Sequence, residues 1–353
     1  MTAHKVGIAL ALLVGAMVPA NAYAWHRGHA KIFATLPAGA SGPEGLEVDD
    51  AGRVYVATFG FTSSGSASGL GQLFVFDRNG HLLRQLSVAG SSPHLLGLRF
   101  HPMTGALLVI DFGAGQVLDV DPLTGASTVF MTLPSPLPHP ALGSGLNDIT
   151  FDRAGNVFVS DSFQGIVWTT PQSGGVASVW VDSQLLRTTG VPPFGANGLR
   201  FNRAETKLFV ANTGNDTIIQ IPVVAGKPGP AGPSVFTNSV NGADGLLVDE
   251  DDNLWVVANQ SDEIVVVDPT GKAIAKLGDF GGGLSHGSPL QLLFPASLRF
   301  HGDDLLVTNL SLDLRLFNPA FEAVDSEWCA QVSRYTVVRL HAKLREQDER
   351  DDD

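Results

Sequence analysis

The sequence of 353 residues contains a single cysteine, Cys329. One cysteine excludes an internal disulfide, so the fold must be stabilised by its hydrophobic core rather than by cross-links. With 44% hydrophobic residues, the chain is long and apolar enough to bury a large core. No histidine stands in a recognisable motif with Cys329, so we interpret it as a small buried residue rather than a nucleophile.

Basic residues are also few, because 22 lysines and arginines face 35 aspartates and glutamates, a net charge of −13. This excess of negative charge argues against a nucleic-acid partner and against binding to an anionic membrane surface. The sequence has no serine nucleophile elbow, no P-loop and no Cys/His zinc pattern. These absences argue against the corresponding serine-hydrolase, nucleotide and zinc chemistries.

Long apolar runs are absent except near the N-terminus. Lys5 precedes an almost unbroken apolar stretch at residues 6–18, and residues 22–24 form a small-x-small cleavage site. We therefore predict a signal peptide over residues 1–24 and a periplasmic or secreted protein without membrane attachment after cleavage. The run is too short for a confident membrane span, although an uncleaved anchor remains an alternative.

A sequence motif of two short apolar strands joined by an Asp/Asn/Gly turn recurs six times, at intervals of about 50 residues. A β-unit of this period predicts a propeller blade, a four-stranded sheet that buries both faces only by stacking against its neighbours. The sequence therefore predicts an all-β, six-bladed β-propeller over residues 25–344, followed by an acidic disordered tail at 345–353. The copies begin at Gly45, Gly97, Asp148, Gly198, Gly245 and Ser297.

The last repeat has only three strands of its own, at residues 297–300, 304–309 and 333–340. Residues 29–37 precede the first full repeat and resemble the fourth strand of the second repeat. We therefore predict that this N-terminal strand completes the last blade and closes the ring, which removes two open sheet edges. The insertion at 318–328 is predicted to be a loop or a short helix.

The residue just before each repeat enters the innermost strand of a blade, where side chains of a propeller face the central channel. Read in order, these residues are Glu44, Leu96, Asn147, Asn197, Asp244 and Ala296, so four of the six carry side-chain oxygen. Carboxylate and amide oxygens without Cys or His are the ligands that Ca²⁺ prefers. We interpret Glu44, Asn147, Asn197 and Asp244 as Ca²⁺ ligands, with other divalent ions possible, although such residues before glycine also form turns.

Four short motifs around these residues resemble the gluconolactonase/regucalcin (senescence marker protein) family, which is related to paraoxonases and strictosidine synthase-like proteins. They are Pro-Glu-Gly-Leu at 43–46, Leu-Asn-Asp-Ile-Thr-Phe-Asp at 146–152, Ala-Asn-Gly-Leu-Arg-Phe-Asn at 196–202 and Ala-Asp-Gly-Leu-Leu-Val-Asp at 243–249. The resemblance spans about residues 30–340 and implies a six-bladed propeller with a catalytic divalent ion, usually calcium. It implies ligand roles for the same four residues, and a further role as base or nucleophile for Asp244.

Other polar residues are candidates for contacts with substrate. Asp161, Asn212 and Asn259 end the second strand of their repeats and are predicted substrate contacts, although capping of strand ends is an equal interpretation. His94 and His286 lie in loops before the two repeats that lack an oxygen ligand, and each is a candidate proton shuttle or a surface residue.

Together these features predict an exported, monomeric, calcium-dependent lactonase or esterase acting on a small molecule. The ion would polarise the carbonyl while a carboxylate, Asp244 in the first instance, activates water or attacks directly. The resemblance implies that some sugar-lactonase members use an arginine just before the position of Asn147 for substrate, but Gly145 and Leu146 stand there in this chain. This departure, together with apolar Leu96 and Phe194, favours a hydrophobic lactone or ester over gluconolactone. Two alternatives remain: a non-catalytic binding module stabilised by calcium, and strictosidine synthase-like chemistry.

Overall fold

The structure, a computed structural model, describes residues 27–322, 325–342 and 344. The predicted signal peptide and acidic tail lie outside these described residues. Six sheets surround one axis, and each contains four antiparallel strands in the blade order, which confirms the six-bladed β-propeller. Two of the sheets gain a further two-residue strand. Each innermost strand contacts the innermost strands of both neighbouring blades, so the ring is continuous. No helix among the described residues has the length and apolar character needed to cross a membrane.

Every blade places four strands side by side from the axis outward. In that order they are Pro43–Val48, Val54–Thr58, Gln72–Phe76 and Leu82–Ser87 in blade 1; Leu95–Phe100, Leu107–Asp111, Gln116–Val120 and Ser127–Thr132 in blade 2; Leu146–Phe151, Val157–Asp161, Ile166–Thr170 and Ser178–Asp182 in blade 3; Ala196–Phe201, Lys207–Asn212, Thr217–Val224 and Ser234–Asn238 in blade 4; Ala243–Val248, Leu254–Ala258, Glu263–Val267 and Ala273–Leu277 in blade 5; and Pro295–His301, Asp304–Asn309, Thr336–His341 and Lys31–Thr35 in blade 6.

Shorter elements lie between these strands. Two-residue strands are Phe61–Thr62, Gly65–Ser66, Gly175–Val176, Lys227–Pro228, Leu284–Ser285 and Ser288–Pro289; the 3-10 turns are Pro140–Leu142, Gln184–Leu186, Asn259–Ser261 and Leu314–Leu316; and a helix spans Ser326–Cys329. The helix lies in the insertion of blade 6, where a loop or short helix was expected. Cys329 is buried there, and burial raises the pKa of its thiol well above the usual range.

The two ends of the chain meet in blade 6. Lys31–Thr35 pairs antiparallel with Thr336–His341, with Lys31 opposite Arg339 and Thr35 opposite Thr336. The predicted closure of the ring by an N-terminal strand is therefore confirmed. The third strand of this blade begins at Thr336 rather than at residue 333, because the chain first turns back from the short helix.

The hydrophobic core lies between neighbouring blades. Phe209 and Ile218 of blade 4, for example, belong to one buried cluster with Leu246 and Val256 of blade 5. Inner strands are buried on both faces, whereas the outermost strand Leu82–Ser87 leaves most of its side chains partly or fully exposed. This gradient follows from stacking twisted sheets around an axis, where each sheet covers its neighbour most completely near the centre.

All six innermost strands carry an irregularity at the same place. In blade 1, Pro43 pairs with Thr58, but the next pair is Leu46 with Val56, so Glu44 and Gly45 bulge out of the ladder. The other five blades repeat this shift. A bulge redirects a side chain out of the regular alternation. The bulge therefore explains how the residue before each repeat reaches the axis.

Glycine follows the bulged residue in most blades because the next blade approaches closely. A Cβ atom at Gly198 would lie 2.5 Å from the carbonyl oxygen of Asp244, and one at Gly45 would lie 2.2 Å from that of Leu96. Both distances are far below normal van der Waals contact. The repeated motif of a polar residue followed by Gly-Leu is thus a packing requirement of the axis.

Candidate metal site

The residues predicted to face the axis line one cavity of about 360 Å³, a volume that includes space open to solvent. Its walls include Glu44, Leu96, Asn147, Asn197 and Asp244, which come from five different blades. The four oxygen-bearing members are only 4–5% exposed. Ala296, the sixth axial residue, is buried beside them but does not line the cavity. The fold therefore brings the predicted ligand set together.

Hydroxyl groups of the same blades orient the two asparagines of the set. Asn147 Nδ2 donates to Ser162 Oγ over 3.3 Å, and Asn197 Nδ2 donates to Thr213 Oγ1 over 2.9 Å. Ser162 Oγ in turn donates to the carbonyl oxygen of Ala196 over 2.7 Å. Because the amide nitrogens are held by these hydroxyls, the two Oδ1 atoms are left available to the cavity.

Several oxygens at the cavity lack a hydrogen-bond donor among the described residues. Glu44 Oε2, Asn147 Oδ1 and Asn259 Oδ1 are all buried and unpaired. An unsatisfied buried polar atom costs about 1–3 kcal/mol, and two of these belong to the predicted ligand set. A hard divalent cation bonded by such oxygens would remove that cost, so the residues fit Ca²⁺.

The electrostatics of the two carboxylates agree with a cation site. Burial, followed by the charges of Asp244 and Asp148, raises the pKa of Glu44 well above its usual range. Burial also raises the pKa of Asp244 to about 7, and the charge of Asp148 adds to the rise. A positive ion between them would favour the ionised form of both groups.

One predicted substrate contact, Asn259, lines the cavity. Its Nδ2 donates to Asp244 Oδ2 over 3.1 Å. This hydrogen bond favours ionised Asp244 and opposes the effect of burial on its pKa. Asn259 therefore positions and tunes the carboxylate that the sequence selects for catalysis.

Asp161 and Asn212 are used differently, because each holds the loop that enters its own blade. Asp161 Oδ1 accepts from the backbone nitrogens of Gly145, Phe163 and Gln164 at 2.9–3.1 Å, and Asp161 Oδ2 accepts from Trp168. Asn212 Nδ2 donates at 2.9 Å to the carbonyl oxygens of Leu185 and Arg187. Neither side chain lines the cavity, and their contacts match the strand-capping alternative.

Neither candidate histidine lines the cavity. His94 lies behind the cavity wall, with its Nδ1 2.6 Å from the carbonyl oxygen of Phe59 and its ring stacked on Phe61 at 4.9 Å. His286 is exposed on the hairpin after blade 5, where its Nδ1 lies 3.1 Å from Ser285 Oγ. A proton-shuttle role for either residue stays a prediction.

Phenylalanines form a cluster at the mouth of the cavity, which we call the aromatic cluster. Phe59 and Phe194 line the cavity and are buried, whereas Phe317 reaches solvent. Ring centroids lie 5.5 Å apart for Phe59 and Phe112, and 5.9 Å apart for Phe194 and Phe317. The members are Phe59, Phe61, Phe112, Phe163, Phe194 and Phe317. Polar oxygens thus face one part of the cavity, and apolar side chains cover the rest.

The hydroxyl partners of the asparagines were not foreseen from the sequence, although a signal was present. One position after the aligned polar residues Thr58, Asp111, Asp161, Asn212, Asn259 and Asn309, the repeats carry Phe59, Phe112, Ser162, Thr213, Gln260 and Leu310. A hydroxyl stands at this position only in blades 3 and 4, which are the two blades with an asparagine ligand. The presence of a hydroxyl at this repeat position therefore goes together with an asparagine at the axis.

The fold and site define a six-bladed propeller with an oxygen-lined, apolar-walled axial cavity. The chain belongs to the SMP-30/gluconolactonase/LRE-like family, whose sequence profile matches residues 102–278. A shorter match, at residues 33–59, is to the strictosidine synthase-like N-terminal region. The resemblance inferred from the four motifs is therefore confirmed, and the protein is a gluconolactonase-like propeller of hydrolase type.

Solved structures show the same fold at low sequence identity. Regucalcin from Agrobacterium tumefaciens strain C58, described as a calcium-binding protein, is 16% identical, with a TM-score of 0.59 over 89% of this chain and 93% of its own. A luciferin-regenerating enzyme is 16% identical, with a TM-score of 0.59 over 86% and 92%. A gluconolactonase from Xanthomonas campestris is 16% identical, with a TM-score of 0.57 over 78% and 85%. None of the curated proteins matches the chain in sequence.

Proposed function

We propose that the protein is an exported, calcium-dependent hydrolase of small hydrophobic lactones or esters. The observation that carries the proposal is the pair of buried, unpaired oxygens Glu44 Oε2 and Asn147 Oδ1 in the cavity that also contains Asp244. Family membership supports hydrolase chemistry, and the calcium-binding regucalcin with the same fold supports the choice of ion. Export rests on the sequence of residues 1–24.

The four ligand residues would hold the ion with two carboxylates and two amide oxygens. When bound, calcium would polarise the substrate carbonyl and stabilise the oxyanion. Asn147 and Asn197 are already held by Ser162 and Thr213, so their oxygens need little rearrangement on binding. This preorganisation lowers the entropic cost of assembling the site.

Asp244 is the residue best placed to move a proton. In its ionised form it would take a proton from the attacking water while the water oxygen bonds to the carbonyl carbon. The ester C–O bond then breaks, and the leaving alkoxide takes up the proton to give an acid and an alcohol. Asn259 holds Asp244 Oδ2 during this sequence, and hydrogen bonds from the Asn197 side chain and the Gly245 backbone also favour its ionised form.

The apolar walls indicate the substrate class. Phe59, Phe194 and Leu312 line the cavity and offer no hydrogen-bond partners from their side chains. A sugar lactone would bury several hydroxyls there without partners, which costs about 1–3 kcal/mol for each group. Aryl esters and alkyl-substituted lactones match these walls and bury apolar area instead.

The test is hydrolysis of aryl esters, aliphatic lactones and sugar lactones by protein stripped with a chelator, before and after calcium is returned. We expect calcium to restore turnover, with aryl esters and aliphatic lactones preferred over gluconolactone. Asn197→Ala should lower kcat/KM at least about 100-fold, whereas Asn79→Ala, in an exposed turn, serves as the matched control. Equal turnover with and without calcium would reject the metal-dependent mechanism.

Asp244→Asn tests the proton-transfer role. A variant that retains both calcium binding and full activity would exclude Asp244 as base or nucleophile. Calcium binding that raises Tm without turnover of any substrate class would instead identify a calcium-stabilised binding module.

A further inference from the structure

A second group of charged residues lies on the axis, three positions further along the innermost strands than the ligand set. Glu47, Arg99, Arg200 and Arg299 occupy this position in blades 1, 2, 4 and 6, and Asp148 of blade 3 joins them. We call these five residues the arginine layer. Arg99, Arg200 and Arg299 come from blades 2, 4 and 6, and their charges act on one another, so the arginine layer crosses the centre of the propeller.

The ion pairs within the arginine layer are incomplete. Arg200 Nη1 lies 2.7 Å from Asp148 Oδ2, which is a close ion pair. Glu47 is shared, with Arg99 Nη1 at 3.7 Å from its Oε2 and Arg299 Nε at 3.4 Å from its Oε1. Three guanidinium groups therefore share two carboxylates, and one positive charge has no counterpart within the layer.

Unpaired donors accompany this excess of positive charge. Arg200 and Arg299 are 6% and 7% exposed, and the Nε atom of Arg200 is buried without a hydrogen-bond partner among the described residues. The Nε atom of Arg299 is also buried without a hydrogen bond, although Glu47 Oε1 lies 3.4 Å from it. The guanidinium groups also repel one another. Burial, followed by the charges of Arg200 and Arg299, lowers the pKa of Arg99 well below its usual range. A buried excess of positive charge with free donors is a setting that favours an anion.

We propose that the arginine layer binds one small monovalent anion, a halide or a carboxylate, between the guanidinium groups of Arg200 and Arg299. The side chains of the arginine layer are only 7% to 18% exposed, so little of the layer is accessible to solvent. A chloride ion or a formate-sized carboxylate suits such access, whereas a nucleotide does not. The anion would link blades 4 and 6 across the axis, and the tests that follow do not depend on hydrolase activity.

The direct test is a crystal of the protein soaked in sodium bromide, whose anomalous scattering locates the anion. We expect a bromide peak between Arg200 and Arg299, within hydrogen-bonding distance of both guanidinium groups. No peak at the arginine layer would overturn the proposal, and this measurement on the unaltered chain does not depend on how any variant folds.

Thermal unfolding in solution tests specificity. In a background of the bulky HEPES anion at constant ionic strength, chloride, formate and acetate are titrated separately. We expect Tm to stay constant while the free anion concentration is well below Kd. Above Kd, Tm should rise about 3 °C for each tenfold increase in free anion concentration. The anion with the lowest Kd identifies the class, halide or carboxylate.

A pair of variants completes the test. Arg299→Gln removes one guanidinium and should abolish the dependence of Tm on the anion, whereas exposed Arg203→Gln should retain it. An equal rise of Tm in both variants would show a general salt effect and would overturn the proposal.

Discussion

Asn259 Nδ2 donates a hydrogen bond to Asp244 Oδ2 over 3.1 Å, and both side chains line the axial cavity. The contact joins the innermost strand of blade 5 to the 3-10 turn that follows its second strand. The ligand residue and the residue that tunes it therefore belong to one blade. The same arrangement occurs in blades 3 and 4, where Ser162 and Thr213 hold Asn147 and Asn197.

Loss of the Asn259 hydrogen bond should shift the pH dependence of calcium binding. Protons compete with the ion for Asp244 below its pKa, which is about 7. Asn259→Ala removes a donor that favours the ionised carboxylate, so this pKa should rise and the loss of affinity on acidification should begin at higher pH. Calorimetric titration of calcium between pH 6 and 9 measures the shift. Coincident profiles for the variant and the unaltered protein would contradict this role of Asn259.

Thr213→Val should weaken calcium binding without unfolding the blade. Valine has nearly the shape of threonine but cannot accept the hydrogen bond from Asn197 Nδ2, so the amide loses its fixed orientation. We expect calcium affinity to fall about 10-fold, as is common when the group that orients a metal ligand is removed. Thr128→Val, on the exposed outer strand of blade 2, is the matched control for thermal unfolding and titration. Unchanged affinity would show that Asn197 is held by other contacts.

Asp262 should make the protein less stable as pH rises. Burial, followed by the charge of Asp325, raises the pKa of Asp262 to about 8. The folded state thus binds this proton more tightly than the unfolded state does. Its contribution to stability is fully present below the unfolded pKa, about 4, and is lost as pH rises towards the folded pKa.

Asp262→Asn imitates the protonated side chain and isolates this effect. Asparagine tolerates the left-handed backbone, φ +51°, and can still accept from the Phe294 backbone nitrogen, which lies 2.7 Å from Asp262 Oδ1. We expect the variant to be more stable by about 2 kcal/mol at pH 8.5, with a smaller difference at pH 5. Urea unfolding at both pH values measures the difference, with exposed Asp50→Asn as the control. An equal difference at both pH values would exclude the titration of Asp262 as its cause.

The closing strand of blade 6 should contribute strongly to stability. Leu36 follows this strand, is 2% exposed, and donates its backbone N–H to the carbonyl oxygen of Tyr335 over 2.9 Å. Leu36→Ala should lower the free energy of unfolding by about 2–5 kcal/mol because it leaves a cavity in the core. Leu83→Ala, at a site 48% exposed, should change it by less than about 0.5 kcal/mol. Similar losses for both variants would mean that the closing strand is not tightly packed.

Residues at equivalent positions of the repeat show where inference from sequence stops. Asp161 and Asn259 align in the repeat, and the sequence predicts the same role for both. Asp161 accepts hydrogen bonds from the loop at Gly145, whereas Asn259 begins a 3-10 turn and points to Asp244. Which partner each side chain contacts depends on the conformation of the loop that follows the strand, and the repeat pattern does not encode that conformation.

The sequence by itself determined the number of blades, the closure of the ring and the residues that face the axis. These features follow from local alternation of apolar residues and from their recurrence along the chain, because equivalent positions of a repeat occupy equivalent places around the axis. Only the tertiary structure decided the hydroxyl partners of Asn147 and Asn197, the aromatic cluster and the arginine layer. These depend on loop conformations and on distances between side chains of different blades, which no local pattern specifies.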